Sequence, residues 1–146
     1  MPSAIIVEDE ILAAERLRVL LNDCQIVLLK TFHHAQPALD WLGSHEVDIV
    51  FADIGLPEIN GLELVERIQR IAKRQPHVIF TTAYEEHALR AFELAAADYL
   101  LKPIKLARLQ KALDRVQEKD NEQADAFTHF KVFNRDRMVE VPWQQA

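Results

Sequence analysis

The sequence is poor in glycine. Its 146 residues include only Gly43, Gly55 and Gly61, whereas average usage near 7% would give roughly ten glycines. With so few, neither a GxGxxG dinucleotide-binding turn nor a GxxxxGK[ST] phosphate-binding loop can be written anywhere in the chain. The sequence therefore excludes two common glycine-rich ways of binding a nucleotide.

Cysteine and long apolar runs are also scarce, although 49% of the residues are hydrophobic, as in an ordinary folded domain. Cys24 is the single cysteine, which excludes an internal disulfide framework and a CxxC redox or zinc pair. No apolar run approaches the roughly 18 residues of a membrane span. We therefore expect a cytoplasmic protein, in a reducing compartment and without membrane association.

Acidic residues outnumber basic ones, and they do so unevenly. The chain holds 17 Lys and Arg against 23 Asp and Glu, for a net charge of -6. Residues 1–104 carry 9 basic and 16 acidic side chains, whereas residues 105–146 carry 8 and 7. We expect residues 1–104 to repel nucleic acid, because both carry net negative charge. Its acidity either serves solubility or reflects a cluster of carboxylates that binds a cation.

Short apolar runs alternate with segments of helical periodicity, five times over. Such runs are typical of strands buried on both faces of a parallel sheet, above all AIIV, VDIVFA and HVIFTT. Alternating strands and helices joined by right-handed crossovers form a doubly wound α/β sheet. The predicted strands are Ala4–Val7, Gln25–Phe32, Val47–Ala52, His77–Thr82 and Asp98–Leu101, and the predicted helices are Ile11–Asn22, Pro37–Ser44, Gly61–Lys73, Glu85–Ala96 and Lys105–Lys119.

The pattern changes near residue 120. We predict a (βα)5 domain over residues 1–120 and a polar linker over residues 121–128. Two strand-like runs follow, His129–Phe133 and Met138–Val141, separated by a polar turn. Residues 129–146 therefore form either an extra β-hairpin or the start of a second domain.

Polar side chains follow the predicted strands where each one ends. Glu8 and Asp9 follow the first strand, Asp53 the third, and Lys102 the fifth, while Thr82 ends the fourth. Ligands of open parallel sheets bind beyond the carboxyl ends of the strands. Carboxylates suit Mg²⁺, and a carboxylate can also become an acyl phosphate whose oxygens a lysine and a hydroxyl neutralise. This edge of the sheet is thus the candidate site for phosphoryl chemistry.

These motifs resemble the receiver domain of two-component response regulators over residues 4 to about 120. The resemblance rests on Glu8-Asp9-Glu10, Asp53 through Gly61, Thr82-Ala83 and Asp98 through Pro103. It implies a flavodoxin-like fold with strand order 2-1-3-4-5, and a phosphoacceptor switch rather than an enzyme. It further implies that Asp53 is the phosphoacceptor, that Glu8, Asp9, Asp53 and the Gly55 carbonyl bind Mg²⁺ or Mn²⁺, and that Lys102, Thr82 and Tyr99 are the phosphoryl-contacting and switch residues.

Two further segments are similar in sequence to LytTR-type transcription regulators. Phe80 through Glu85 resembles their receivers, and Phe130 through Trp143 resembles the opening strands of their DNA-binding domain. That resemblance implies a C-terminally truncated regulator. Its expected partners are a histidine kinase, a second copy of the chain after phosphorylation, and DNA only through a C-terminal domain mostly absent here. The implied output face comprises the Glu85–Ala96 and Lys105–Lys119 helices.

Two alternatives remain open at this point. The chain could be a stand-alone receiver that acts through protein contacts only. It could also be a phosphohydrolase with an aspartate nucleophile, although such enzymes usually carry a second aspartate two residues after the nucleophile, where this chain has Gly55.

Overall fold

The structure is a computed structural model that describes residues 1–59, 61–85 and 96–137, with residues 122–137 described by their backbone alone. The chain divides into two compact units, Met1–Ala112 and Leu113–Ala146. The elements, in chain order, are β1 (Ser3–Val7), α1 (Ile11–Asp23), β2 (Val27–Phe32), α2 (Ala35–Leu42), β3 (Ile49–Asp53), α3 (Gly61–Ile71), β4 (His77–Thr82), β5 (Asp98–Leu101) and α4 (Leu106–Arg137).

The five strands form one parallel sheet in the order β2-β1-β3-β4-β5. This confirms the predicted doubly wound sheet and its strand order. The chain leaves β1 to one side for β2 and to the other side for β3, so the direction of winding reverses at β1. A ligand crevice is expected at that reversal, beyond the carboxyl ends of β1 and β3.

The three central strands are buried on both faces, as their apolarity predicted. Ile5, Val50 and Phe80 belong to a core cluster with residues of α2 and α3. Their neighbours on the opposite face of the sheet, including Phe51 and Ile79, are equally inaccessible to solvent. The edge strand β2 is largely exposed. A sheet covered on both faces leaves its ends, rather than its faces, available for a site.

Most predicted boundaries agree with the structure to within two residues, and β4 and β5 agree at both ends. Most of the predicted Glu85–Ala96 helix lies outside the described residues. Among the helices that the described residues form, none combines the length and the apolarity that crossing a bilayer requires.

The C-terminal prediction of secondary structure is wrong in one respect. Helix α4 runs to Arg137, through the predicted linker at 121–128 and the predicted strand at 129–133. No glycine or proline occurs between Lys105 and Val141, so nothing in the local sequence stops the helix. The second predicted strand, residues 138–141, lies outside the described residues, and the division into domains stays a prediction.

Candidate functional site

The strand register brings the predicted site residues together at the carboxyl ends of the strands. Val7 pairs with Ala52, so the residues that follow them, Glu8 just after β1 and Asp53 at the end of β3, stand side by side. Asp53 in turn pairs with Thr81 on β4, and Thr82 pairs with Leu101 on β5. Lys102 follows directly, so four side chains that are distant in sequence, those of Glu8, Asp53, Thr82 and Lys102, converge because four parallel strands end together.

Three carboxylates form the acidic part of the site. One oxygen from each of Glu8, Asp9 and Asp53 lies within 4.8 Å of the other two. Glu8 and Asp53 are buried, with 4% and 7% of their surface exposed, and Asp9 is half-buried. Negative charges this close repel one another strongly where water is excluded. A group of hard oxygens with this arrangement can hold a divalent cation, which would remove the repulsion.

Lys102 supplies the positive charge of the site. Its Nζ lies 2.8 Å from Glu8 Oε1 and 3.4 Å from Asp53 Oδ2. Its backbone N–H donates a 2.7 Å hydrogen bond to the carbonyl of Thr82, which fixes the start of the loop after β5. Burial alone would lower the pKa of Lys102, but the two carboxylates outweigh burial and raise it above its ordinary value. The side chain therefore stays charged beside the acids.

Glu8 titrates near neutrality in this environment. Burial raises its pKa to about 7, and the neighbouring Asp53 contributes to the increase, while hydrogen bonds from Lys102 and from the Glu10 N–H oppose it. The largest cause is the loss of water around a buried carboxylate, which the Lys102 ammonium does not fully offset. A cation at this site would favour the ionised form of Glu8.

The loop after β3 holds the Asp53 side chain and backbone. The N–H of Gly55 donates to Asp53 Oδ1 at 3.1 Å, and the N–H of Ile54 donates to the carbonyl of Thr81 at the same distance. Gly61, at the start of α3, donates to the carbonyl of Ile54 at 2.9 Å. These hydrogen bonds hold the Asp53 side chain and the backbone that follows it. The role of the Gly55 carbonyl as a ligand stays a prediction.

Gly61 lies against the backbone of Asp53, a contact that the sequence motif around it did not predict. A Cβ at Gly61 would lie 2.6 Å from the carbonyl oxygen of Asp53 and 2.7 Å from Cα of Ile54. No side chain fits in that space, so α3 can begin against the backbone of Asp53 only with glycine. The need for glycine arises because the start of α3 lies close to the end of β3, and no local sequence pattern predicts that distance.

Thr82 is bonded within its own loop. Its Oγ1 accepts a 3.0 Å hydrogen bond from the N–H of Tyr84 and lies 3.4 Å from the Tyr84 carbonyl, to which it donates. Thr82 also lines an open cavity of about 300 Å³ that contains most of the site. The described residues around this cavity are Asp9, Glu10, Asp53, Gly55, Thr82, Ala83, Tyr84 and Lys102.

Tyr99 lies apart from that cavity. It is half-buried and packs against the core cluster. The Arg108 guanidinium sits 5.7 Å from its ring centroid and donates to its carbonyl at 2.9 Å. Arg108 also forms two hydrogen bonds, of 3.0 and 2.8 Å, to the buried carboxylate of Asp98, which raises the pKa of the guanidinium. The sequence analysis did not predict the pairing of Asp98 with Arg108. Its one signal was an aspartate at the first position of a buried strand, which needs a partner for its charge.

Comparison with known proteins agrees with this geometry. The response regulator receiver domain family matches residues 4–114. The chain is 39% identical over 124 residues to the transcriptional regulatory protein BtsR of Escherichia coli K12, covering 84% of this chain and 51% of BtsR. It is 39% identical over 114 residues to the sensory transduction protein LytR of Staphylococcus haemolyticus, covering 77% and 44%. The chain therefore spans about half the length of these curated relatives.

A solved structure has the same fold. The response regulatory domain of protein mrkE from Klebsiella pneumoniae superposes with a TM-score of 0.74 at 36% identity, covering 82% of this chain and 98% of that one. The family match covers the sheet and every strand end that contributes to the acidic site, and the LytR relative agrees with the regulator type that the motifs resemble. The chain belongs to the response regulator receiver domain family.

Proposed function

We propose that the chain is a phosphorylation-controlled switch in which Asp53 accepts a phosphoryl group from a histidine kinase. The observation that carries the proposal is the Lys102 ammonium, which lies within 3.4 Å of both Glu8 and Asp53 and lines an open cavity with Asp53. A carboxylate that attacks a phosphate anion needs positive charge beside it to offset the repulsion between like charges. Lys102 supplies that charge.

In the proposed transfer, a carboxylate oxygen of Asp53 forms a bond to phosphorus, and the bond between phosphorus and the donor's imidazole nitrogen breaks. The imidazole leaves with the electron pair of that bond, and Asp53 becomes an acyl phosphate. The Gly55 N–H holds one oxygen of Asp53 in place, while Lys102 offsets the charge on the transferred group.

Glu8, Asp9 and Asp53 would hold Mg²⁺ or Mn²⁺, with the backbone carbonyl of Gly55 as a further ligand. The three close carboxylate oxygens and the raised pKa of Glu8 support this assignment, because both describe acids that need more positive charge than Lys102 provides. When bound, the cation neutralises the negative charge on the phosphoryl oxygens.

Thr82 would respond to the phosphorylation of Asp53. The phosphoryl group offers its hydroxyl a charged acceptor, and moving to it would break both contacts with the Tyr84 backbone. We further propose that Tyr99 follows this movement and that the Glu85–Ala96 and Lys105–Lys119 helices form the output face. That face would favour a homodimer and, in a longer regulator located in the cytoplasm, control transcription.

Reaction with a phosphate donor also bears on the two alternatives, a stand-alone receiver and a phosphohydrolase. A stand-alone receiver would be phosphorylated in the same way but would act through protein contacts without DNA. A phosphohydrolase would turn over a phosphate ester, which requires a general acid near Asp53. The position of Gly55, whose N–H rather than a side chain reaches Asp53, counts against it. We propose that the chain is no enzyme beyond catalysing its own phosphorylation and dephosphorylation.

The direct experiment is incubation with acetyl phosphate and Mg²⁺ followed by intact-mass measurement. We expect the wild-type chain to gain the mass of one phosphoryl group and Asp53→Asn to gain none. Asp40→Asn, an exposed position on α2, is the matched control and should gain the same mass as wild type. A mass gain that persists in Asp53→Asn would overturn the assignment of the acceptor.

A further inference from the structure

Arg16 links α1 to the loop that follows the lysine of the site. It lies on the exposed side of α1, yet its guanidinium donates a 2.9 Å hydrogen bond to the carbonyl of Ile104, two residues after Lys102. Ile104 itself is buried. A charged donor on a neutral carbonyl is a stronger tether than an ordinary hydrogen bond.

The loop has few other anchors among the described contacts. The N–H of Lys102 is bonded to Thr82, Pro103 has no N–H to donate, and α4 begins at Leu106. A cavity of about 310 Å³ lies between α1 and this loop, bordered by Glu8, Leu17, Lys102 and Ile104 among others. On that side the loop borders the cavity, so its packing there depends on the buried Ile104 side chain, while the Arg16 hydrogen bond holds the Ile104 backbone.

We propose that Arg16 is a positioning residue for Lys102. By holding the Ile104 carbonyl, it keeps the loop where the Lys102 ammonium reaches both Glu8 Oε1 and Asp53 Oδ2. Lysine has a long, flexible stem, so its head position depends on where its backbone is held. This inference rests on the proposed function, because its consequence is the rate of phosphorylation of Asp53.

The test compares Arg16→Met with Arg18→Met. Methionine keeps the length and the helix propensity of arginine but donates no hydrogen bond. Arg18 is the matched control, because it lies on the same helix and pairs with Glu15 at the surface. With acetyl phosphate and Mg²⁺, we expect Arg16→Met to be phosphorylated roughly tenfold more slowly than wild type. Arg18→Met should react at the wild-type rate.

Two further measurements separate positioning from a general structural role. We expect the Mg²⁺ affinity of Arg16→Met, measured by calorimetry, to be no lower than that of wild type, since the carboxylates are untouched and a displaced Lys102 ammonium competes less with the cation. In a Lys102→Gln background, adding Arg16→Met should slow the reaction no further, because the group that Arg16 positions is gone.

An unchanged rate in Arg16→Met would overturn the inference. So would a loss of Mg²⁺ affinity, or an equal slowing with and without Lys102, since either indicates a general disturbance of the domain. If the wild-type chain itself takes up no phosphoryl group, the proposed function fails and the inference fails with it. If the wild type is phosphorylated and only the Arg16 comparison fails, the proposed function stands.

Discussion

At the scale of single residues, Gly61 and Asp53 constrain each other. A methyl group at Gly61 would lie 2.6 Å from the Asp53 carbonyl oxygen, so Gly61→Ala must push α3 away from β3 or shift Asp53. We expect a loss of about 1–3 kcal/mol in the free energy of unfolding. Urea denaturation measures the loss, and the rate of phosphorylation with acetyl phosphate should fall with it.

The other two glycines are the controls for this prediction. A Cβ at Gly43 would meet its nearest neighbour at 3.5 Å, and one at Gly55 would meet Asp53 Oδ1 at 3.8 Å, both ordinary contacts. Neither glycine has a positive φ. Gly43→Ala and Gly55→Ala should therefore leave stability unchanged or slightly higher. Equal destabilisation by all three substitutions would contradict the steric explanation.

Asp48 makes a pH-dependent contribution to stability at the end of the sheet opposite the site. Partial burial would raise its pKa, but hydrogen bonds from the Ser3 N–H and hydroxyl and the guanidinium of Arg74 outweigh burial and lower the pKa below its ordinary value of 3.8. A depressed pKa contributes stability that is present above the unfolded value and is lost as pH falls through the folded value.

Asp48→Asn should accordingly lower the free energy of unfolding by about 1 kcal/mol at pH 7. The difference from wild type should begin to shrink as the pH falls below 3.8, where the carboxyl of the unfolded chain becomes neutral, and should vanish once the pH is below the lowered pKa of the folded carboxyl. Urea denaturation at a series of pH values measures it. A difference that stays constant down to pH 3 would show that the charge of Asp48 contributes nothing.

At the scale of secondary-structure elements, the pair of Asp98 and Arg108 joins β5 to the start of α4. Asp98 is buried, and Arg108 binds both of its carboxylate oxygens. Asp98→Asn removes the charge and one of the two acceptors and leaves the guanidinium without its counterion. We expect a loss of about 2–3 kcal/mol in the free energy of unfolding, measured by urea denaturation.

Glu63 and Arg67 provide the comparison, since they form an exposed ion pair one turn apart on α3. Glu63→Gln should cost less than about 0.5 kcal/mol, because solvent screens such pairs. Should both substitutions cost the same, burial would not be the source of the stabilisation by Asp98.

The elements also show how far sequence reasoning extends. Apolar runs such as HVIFTT predicted β4 at both ends, because a buried strand has a simple local pattern. The convergence of Asp53, Lys102 and the acids after β1 followed from the rule that parallel strands end together. The contacts of Gly61, Arg16 and Arg108 could not be predicted, since each depends on the distance between segments far apart in the chain.

Helix α4 illustrates the opposite case. The alternating pattern around Phe130 predicted a strand, but the backbone is helical there. Short alternating runs carry little information when no turn-forming residue bounds them, and the chain has no glycine or proline from Lys105 to Val141. Here the absence of a helix breaker was the better guide.

At the scale of the whole molecule, the acidity of the chain has a local consequence. Three of its carboxylates share one small region with a single ammonium, so a divalent cation should stabilise the folded state. At Mg²⁺ concentrations about 100 times its Kd, the expected gain is about 2.7 kcal/mol in the free energy of unfolding. A thermal melt should show a Tm higher by several degrees, reversed by a chelator.

Asp9→Asn should remove most of this shift, because it takes away a ligand without disturbing a buried group. Asp40→Asn, on the surface of α2, should keep the shift. An Mg²⁺-dependent Tm that is the same in all three proteins would indicate nonspecific screening of a chain with net charge -6 rather than a site.

Trapping the acyl phosphate on the wild-type chain tests whether Asp53 is the phosphoacceptor without altering the protein. Borohydride reduces an aspartyl phosphate to homoserine, and peptide mass spectrometry then locates the change without any substitution. After incubation with acetyl phosphate and Mg²⁺, we expect homoserine at position 53 and at no other aspartate. Homoserine at another position, or a phosphorylated chain with no homoserine, would contradict it.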